Sequence, residues 1–528
     1  MKKILALVLA LVMALSMVAC SGGKSGSSDL GLEVVADSGL TWDTSKEDTI
    51  VLTVMANYYE SAWKMMADEY TKLHPETKVI IDVAASNDAL FQKFATWFSN
   101  PDDLSQAADI THINFCGNVG GTSVLLERDQ IYNFEDLRSV TNPYTGKAVD
   151  ACMLEVDIAG FTNAEGTYAL PFDHVAVAIM ANVDLLKEHG QKVPTTYEEL
   201  LDVCAALRAD GIETPILCTA EGNSIFTALG DAAYRDMYDQ AIVQPTDGIY
   251  DEATMSKNAT YKYDPNDTGC DVSLKRSDER VAILQKELGL KTERNIAAWE
   301  KIAGMLQYVN ENFEASASTE ILTSFEMQNA AFLVSGSWNV GVLNKDVQDM
   351  GEDGFDWITI PFPSFETTPE HFSTNKVRSL YTLGNNMGII KTRGNDTDHL
   401  NRVLDFYMFC YNPVGCAAMY EKTLADGYFV QGNPAIQGVE LPEDVASKLD
   451  GFYQESPMQS YCNGLLGNGI YLAEDKGAYV EVVNKLIRSE VSVEEFLDEL
   501  EPIWMRKIDD NIEVNGYDMD PATKDEHK

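Results

Sequence analysis

Two short clusters in the first quarter of the chain gather side chains suited to holding a ligand. Asn57-Tyr58-Tyr59-Glu60 and Asn114-Phe115 combine aromatic rings with amides and a carboxylate. Rings cover apolar surface, while amides and carboxylates pair with polar groups, so each cluster suits a pocket wall. The signatures of bond-making chemistry are missing: there is no G-x-S-x-G, H-E-x-x-H, Walker A or complete G-x-G-x-x-G pattern. The seven histidines are scattered without ligand spacing. Carboxylates are different, because 83 acids leave ample room for the pair of a glycoside hydrolase, and spacing does not exclude it. Asp264-Pro265-Asn266-Asp267-Thr268-Gly269 imitates the start of a calcium loop, yet Lys275 stands where the bidentate Glu is needed. A solvated turn is the expectation there, with no metal and no cofactor.

The elements that position the clusters alternate in type. Ile50–Ala56 is a β-rich apolar run, and Trp63, Met66, Ala67, Tyr70 and Leu73 repeat at helical spacing up to Pro75. A strand over Val79–Val83, a helix over Asp88–Phe98 and a strand over Asp109–Asn114 follow. This β-α-β-α-β order predicts a doubly wound α/β sheet with its ligand edge at the carboxyl ends of the strands. Both clusters fall on such ends. Further on, Pro194-Thr195-Thr196 before Glu198-Glu199 reads as a helix start, and Ser492 with Glu495 as a capping box.

Lys2 and Lys3 precede an apolar run, Ile4–Leu15, shorter than the about 20 residues of a spanning helix, so residues 1–19 read as a signal peptide. Met17-Val18-Ala19-Cys20 resembles the bacterial lipobox, whose cysteine takes a diacylglycerol on sulfur and becomes the new N-terminus. The alternative is an ordinary signal peptide cleaved near Ala19. Residues 20–47 are expected to be a flexible tether. The formal charge is −44, which repels phosphate backbones and argues against a nucleic-acid partner. An apolar fraction of 45% fits a large core, and the length implies at least two domains. Cys116, Cys152, Cys204, Cys218, Cys270, Cys410, Cys416 and Cys462 show no C-x-x-C or metal-finger spacing. Buried free thiols are the expectation.

Six further pieces in order resemble the extracellular solute-binding proteins of family 1, the carbohydrate-binding subunits of ABC importers. They are the opening strand and helix ending Tyr70-x-x-x-His74-Pro75; Tyr168-Ala169-Leu170-Pro171 with Met180-Ala181-Asn182; Val193-Pro194-Thr195-Thr196-Tyr197-Glu198-Glu199-Leu200; Gly211-Ile212-Glu213-Thr214-Pro215-Ile216; Phe325 to Phe332 running into Ser335-Gly336-Ser337-Trp338; and Asn385 to Ile390. Met180 and Gln328 depart from the usual Tyr and Gly.

The resemblance implies two α/β lobes joined by several hinge strands, with the ligand between them. Lobe 1 is expected over 48–172 and 360–390, lobe 2 over 173–359 and 391–516, and an acidic tail over 517–528. Crossings are expected near Leu170–His174, Ile358–Ser364 and Met387–Lys391, and 231–295 as a lobe-2 elaboration. A sugar site needs an aromatic platform and hydrogen-bonding groups, which points to Trp338, Asp173, Asn57, Tyr59, Glu60, Asn114 and Tyr471, with Tyr58 and Phe115 as packing neighbours. The implied protein is a non-enzymatic lipoprotein, monomeric and anchored through Cys20 at the outer face of the cell membrane. It would deliver a sugar to a permease with a separate ATPase. A receptor for a peptide or polyamine and a secreted glycoside hydrolase are the alternatives.

Overall fold

The computed structural model describes residues 28–262, 274–378, 380–452, 456–457, 464–467 and 473–520. Strand β1 (Asp48–Met55), helix α1 (Glu60–Leu73), β2 (Thr77–Ala84), α2 (Asn87–Trp97) and β3 (Ile110–His112) follow in the expected order. The apolar spacing of α1 becomes a buried face of Ala62, Trp63, Met66, Ala67 and Tyr70. Ser86 caps α2 by accepting the Ala89 N–H. The chain continues through β4 (Asp173–Asn182), α3 (Tyr197–Ala209), β5 (Ile216–Cys218), α4 (Asn223–Tyr234) and α5 (Glu293–Leu306). Then come β6 (Phe332–Gly336), α6 (Val340–Asp349), β7 (Trp357–Ile360), β8 (Leu380–Gly384) and β9 (Met387–Ile389). The last elements are α7 (Thr397–Cys410), α8 (Pro413–Ala425), β10 (Gly432–Pro434), α9 (Ala473–Ile487) and α10 (Val493–Asn515), which opens with the expected Ser492–Glu495 capping box.

Two sheets result. β1 lies parallel to β2 and β3, and β9 closes that sheet antiparallel to β3. In the other, the long strand β4 is shared along its length. Its second half pairs with β6 and β7, and β6 lies parallel to β5. Its first half, Asp173–Ala176, pairs with β8 and β10 instead. One strand therefore runs out of the second lobe toward the first, which is the geometry of a hinge. Leu52, Val54, Trp63, Phe406 and Tyr407 share the first core; Ile179, Ile216, Phe226, Trp299 and Trp504 share another. The molecule is a two-lobed α/β fold.

Three expectations need correction. Residues 28–47 are strapped to lobe 1. The Ser28 hydroxyl and Asp29 N–H donate to Glu69 at 2.9 and 2.7 Å, Leu32 is buried, and Arg402 donates to the Asp43 and Lys46 carbonyls at 2.7 and 3.0 Å. Leu30, Leu32 and Leu40 supply apolar side chains that a free tether lacks. Residues 391–425 also belong with lobe 1, because α7 packs on β1 and α1, and α8 on α1. His399 fixes that contact, its Nδ1 and Nε2 each 2.8 Å from the carboxylates of Asp48 and Asp109. The crossing expected near Met387 comes earlier, at Asn385–Asn386, between β8 and β9. A further crossing, unforeseen, follows α8 and ends in β10.

Cys116, Cys152, Cys204, Cys218, Cys410 and Cys416 are free thiols, five of them buried. Burial raises the Cys218, Cys410 and Cys416 thiols well above the usual range, which keeps them protonated and inert. Cys20, Cys270, Cys462, the calcium-loop mimic at 264–269 and the tail beyond 520 lie outside the described residues. No described helix is long and apolar enough to cross a membrane.

Candidate functional site

Asp173 begins β4 at the hinge and is fully buried. The Tyr59 hydroxyl donates to its Oδ2 at 2.7 Å, while Oδ1 is buried without a partner. Burial pushes this carboxyl up to about 7, against the Tyr59 bond and the charge of His174. Gly384 on β8 faces it, where a Cβ would come within 2.6 Å of Asp173 Oδ1 and 2.1 Å of Gln431 Oε1. Only glycine leaves room for both groups.

Asn385 follows at once, 1% exposed and in the left-handed region at φ 47°. Its N–H donates to Gln431 Oε1 at 3.1 Å, yet both polar atoms of its own side chain are buried without partners. The Gln431 N–H reaches the Tyr59 hydroxyl at 3.3 Å. Asp173, Asn385, Gln431 and Tyr59 are thus one connected polar knot with three open valences. Each unmatched buried polar atom costs about 1–3 kcal/mol, so a fold retains such a set where something else completes it.

The first cluster packs over this knot. Asn57 and Tyr59 both adopt positive φ, 72° and 49°, which turns the chain sharply off β1. The turn is gripped by the segment after α8: the Tyr59 N–H donates to the Phe429 carbonyl at 3.2 Å, and the Phe429 N–H to that of Asn57 at 2.8 Å. This reverses the expected roles of the two tyrosines. Tyr59 is wholly buried and positions Asp173, whereas Tyr58 is half-buried, edge-on to Phe429 with ring centroids 5.4 Å apart. Asn57 is exposed. Glu60 is paired with Lys64 at 2.5 Å, in the first turn of α1, which occupies its charge locally.

Trp338 lies in a short turn, Ser337–Asn339, at the end of β6 and is half-buried. A Cβ on Gly336 would sit 2.2 Å from its indole, so the ring folds back over that glycine. The Ser337 hydroxyl accepts the Ala176 N–H at 3.4 Å, tying the turn to β4. A Cβ on Gly341 would meet the Tyr428 carbonyl at 2.1 Å, which brings the start of α6 against the same segment that grips Asn57. Asn114 is exposed on the lobe-1 edge, in a turn held by the Ile113 N–H to the Asn386 carbonyl at 2.9 Å. It bonds to none of the other candidates. Tyr471 lies outside the described residues.

Sequence reasoning missed Asn385, Tyr428, Phe429 and Gln431. Their signal was faint: two asparagines between strands, and Tyr428–Gln431 framed by Gly427 and Gly432. His174 Nε2 is 3.0 Å from Asp157, a bond that ties the hinge strand to the helix Glu155–Gly160. Burial pushes His112 down to about 4, so it stays neutral. No group of three metal-ligating side chains occurs among the described residues. Two cavities of about 420 and 390 Å³, beside Cys152 and beside His371, contain none of the residues above.

The sequence profile of the family described as bacterial extracellular solute-binding protein matches residues 56–398. No match emerged among curated protein sequences. Among solved structures, a probable secreted solute-binding lipoprotein from Streptomyces coelicolor is similar at TM-score 0.55 and 14% identity, covering 87% of this chain and 99% of its own. The apo form of RafE from Streptococcus pneumoniae gives 0.53 at 13% identity, covering 87% and 98%. The cyclic alpha-maltosyl-1,6-maltose binding protein from Arthrobacter globiformis gives 0.52 at 12%, covering 88% and 100%. At these identities the likeness speaks for the fold.

Proposed function

Since the chain belongs to the bacterial extracellular solute-binding protein family, we propose that it captures a sugar or oligosaccharide between its lobes and delivers it to an ABC permease. One observation carries this reading: a half-satisfied carboxylate and an unsatisfied amide are buried at the hinge, and a half-buried indole sits in the turn that Ser337 ties to the same strand. An indole face suits the C–H surface of a pyranose, and the open Asp173 and Asn385 atoms offer both acceptors and a donor to hydroxyls. The shared strand β4 lets the lobes close on the solute while its own ladder stays intact, and closure reports occupancy to the permease. The similar structures of RafE in complex with raffinose and of the maltosyl-maltose binding protein favour a saccharide over a peptide or polyamine.

Asp173, Asn385, Gln431, Tyr58, Asn57 and Trp338 are the proposed contacts. Tyr59 supports Asp173, and Asn114 extends the lobe-1 edge. The chain itself performs no bond chemistry; ATP hydrolysis belongs to a separate partner. A lipid on Cys20 holds the monomer at the outer face of the cell membrane, and Cys20→Ala should release it into the medium. Calorimetric titration of the mature protein against a glycan panel tests the central reading. Trp338→Ala should weaken sugar binding at least about tenfold, or roughly 1.4 kcal/mol, with little change in melting temperature. A collapse in thermal stability instead would make Trp338 a core residue, and binding of peptides or polyamines alone would displace the sugar.

A further inference from the structure

Beyond the hinge, the end of β5 carries a second set of incompletely matched polar groups. Cys218 lies opposite Val334 in the parallel β5–β6 pair, so the chain leaves β5 on the edge where Gly336–Trp338 turns. Ala220–Gly222 form one helical turn, and α4 begins at Asn223. Asn310 fastens a neighbouring loop there, accepting the Cys218 N–H at 2.8 Å and donating to its carbonyl at 3.1 Å. That loop brings in Glu314.

Asn223 is 8% exposed. Its Nδ2 donates to the Ala220 carbonyl at 2.9 Å and to Glu314 Oε1 at 2.5 Å, which fixes the orientation of the amide. Its Oδ1 is buried without a partner, and so is Glu221 Oε2. Neither Glu221 nor Glu314 forms an ion pair among the described residues; Lys476 acts on Glu314 only at longer range. Burial raises both carboxyls, and on Glu314 the nearby Glu221 raises it further against the Asn223 bond and Lys476.

Each open valence in this cluster is an acceptor, because the donor end of Asn223 is already engaged. The hinge knot is mixed, with the Asn385 amide offering a donor as well. A hydroxyl, with one donor and two acceptor sites, is matched by the mixed set. An ammonium, with three donors and no acceptor, is matched by the acceptor set, and it brings charge to two unpaired carboxylates. We propose that Glu221, Glu314 and Asn223 recognise a protonated amine on the captured solute, which is therefore an amine-bearing saccharide. The inference rests on the sugar-binding reading and narrows it to a substrate class.

The test titrates the purified mature chain at about pH 6.5 with oligosaccharides of glucose, glucosamine and N-acetylglucosamine of equal length and linkage, and with spermidine. The glucosamine oligomer should bind at least about tenfold tighter than the other two, and added salt should shrink that ratio. Glu221→Gln and Glu314→Gln, each checked by thermal melting, should bring the ratio close to one. A neutral or acetylated oligomer that binds as tightly, or a ratio untouched by both variants, overturns the amine proposal and leaves the sugar reading standing. Spermidine binding without any saccharide would sink the sugar reading while the acceptor cluster survives. No binding of any of the four would defeat both.

Discussion

Asp173 and Asp405 are the same side chain in nearly the same depth of burial, 0% and 3% exposed. Burial raises both carboxyls. Their surroundings differ. Asp405 Oδ2 takes hydroxyls from Tyr70 at 2.9 Å and Tyr144 at 2.7 Å, and His74 Nε2 stands 3.4 Å away. Those groups come from α1, its C-terminal end and a separate loop, so Asp405 staples α7 into lobe 1. Asp173 has Tyr59 on one oxygen and nothing on the other. Depth therefore does not separate the structural carboxylate of Asp405 from that of Asp173, the proposed contact. What separates them is an oxygen both buried and without a partner, which Asp173 has and Asp405 does not, and its place at the hinge.

That contrast can be broken by experiment. Asp405→Ala should cost the most, about 2–5 kcal/mol of unfolding free energy, because two buried tyrosine hydroxyls lose their acceptor. Urea titration measures it. Asp173→Asn should leave stability within about 1 kcal/mol yet lower solute affinity at least about tenfold; an unfolding loss as large as that of Asp405→Ala would erase the distinction. The same variant should flatten part of the pH profile. Asp173 is pushed up to about 7 in the fold, above its unfolded value of about 4, so its contribution favours folding fully below about pH 4 and is lost as pH rises through 7.

His399 sharpens the comparison from the opposite side, as a buried group whose partners are complete. Burial lowers its pKa, but the bonds and charges of Asp109 and the bond to Asp48 outweigh that and raise it overall. Its stabilisation is fully present below the unfolded value of about 6.5 and is lost as pH rises through the higher folded value. His399→Gln should remove that upper-limb dependence at a cost of about 1–2 kcal/mol, read from melting curves across pH. Tyr59→Phe is the smallest change expected, about 0.5–1.5 kcal/mol. It removes the bond that lowers the Asp173 pKa, so the midpoint of the Asp173 titration should move upward.

The first sheet was legible because periodicity is local: β1, α1, β2, α2 and β3 each carry their own pattern. Trp338 was singled out through the resemblance to the family's Gly-x-Trp position, and it lies half-buried in the turn after β6. The order of Tyr58 and Tyr59 was not legible, since positive φ at Asn57 and Tyr59 breaks the alternation that tells a strand's two faces apart. The apolar residues of α7 and α8 do not say by themselves which elements those helices pack against. Gln431 reaches Asn385 across 46 positions of sequence, a partnership fixed only by folding. Glu221 and Glu314 were two among 83 acids until burial and an orphaned amide set them apart.

The strap from Ser28 to Glu47 has a consequence for reach. With those residues fixed on lobe 1, the proposed lipid on Cys20 is separated from the folded body by residues 20–27 alone. Such a span extends at most about 28 Å, comparable to the thickness of a bilayer's hydrocarbon core. On that reading the protein is leashed closely, with its α1 flank near the lipid surface. Under the proposed function, a short leash would concentrate the protein beside the permease and limit how far it can tumble away. Lobe 2, which carries no part of the strap, is the half left to swing.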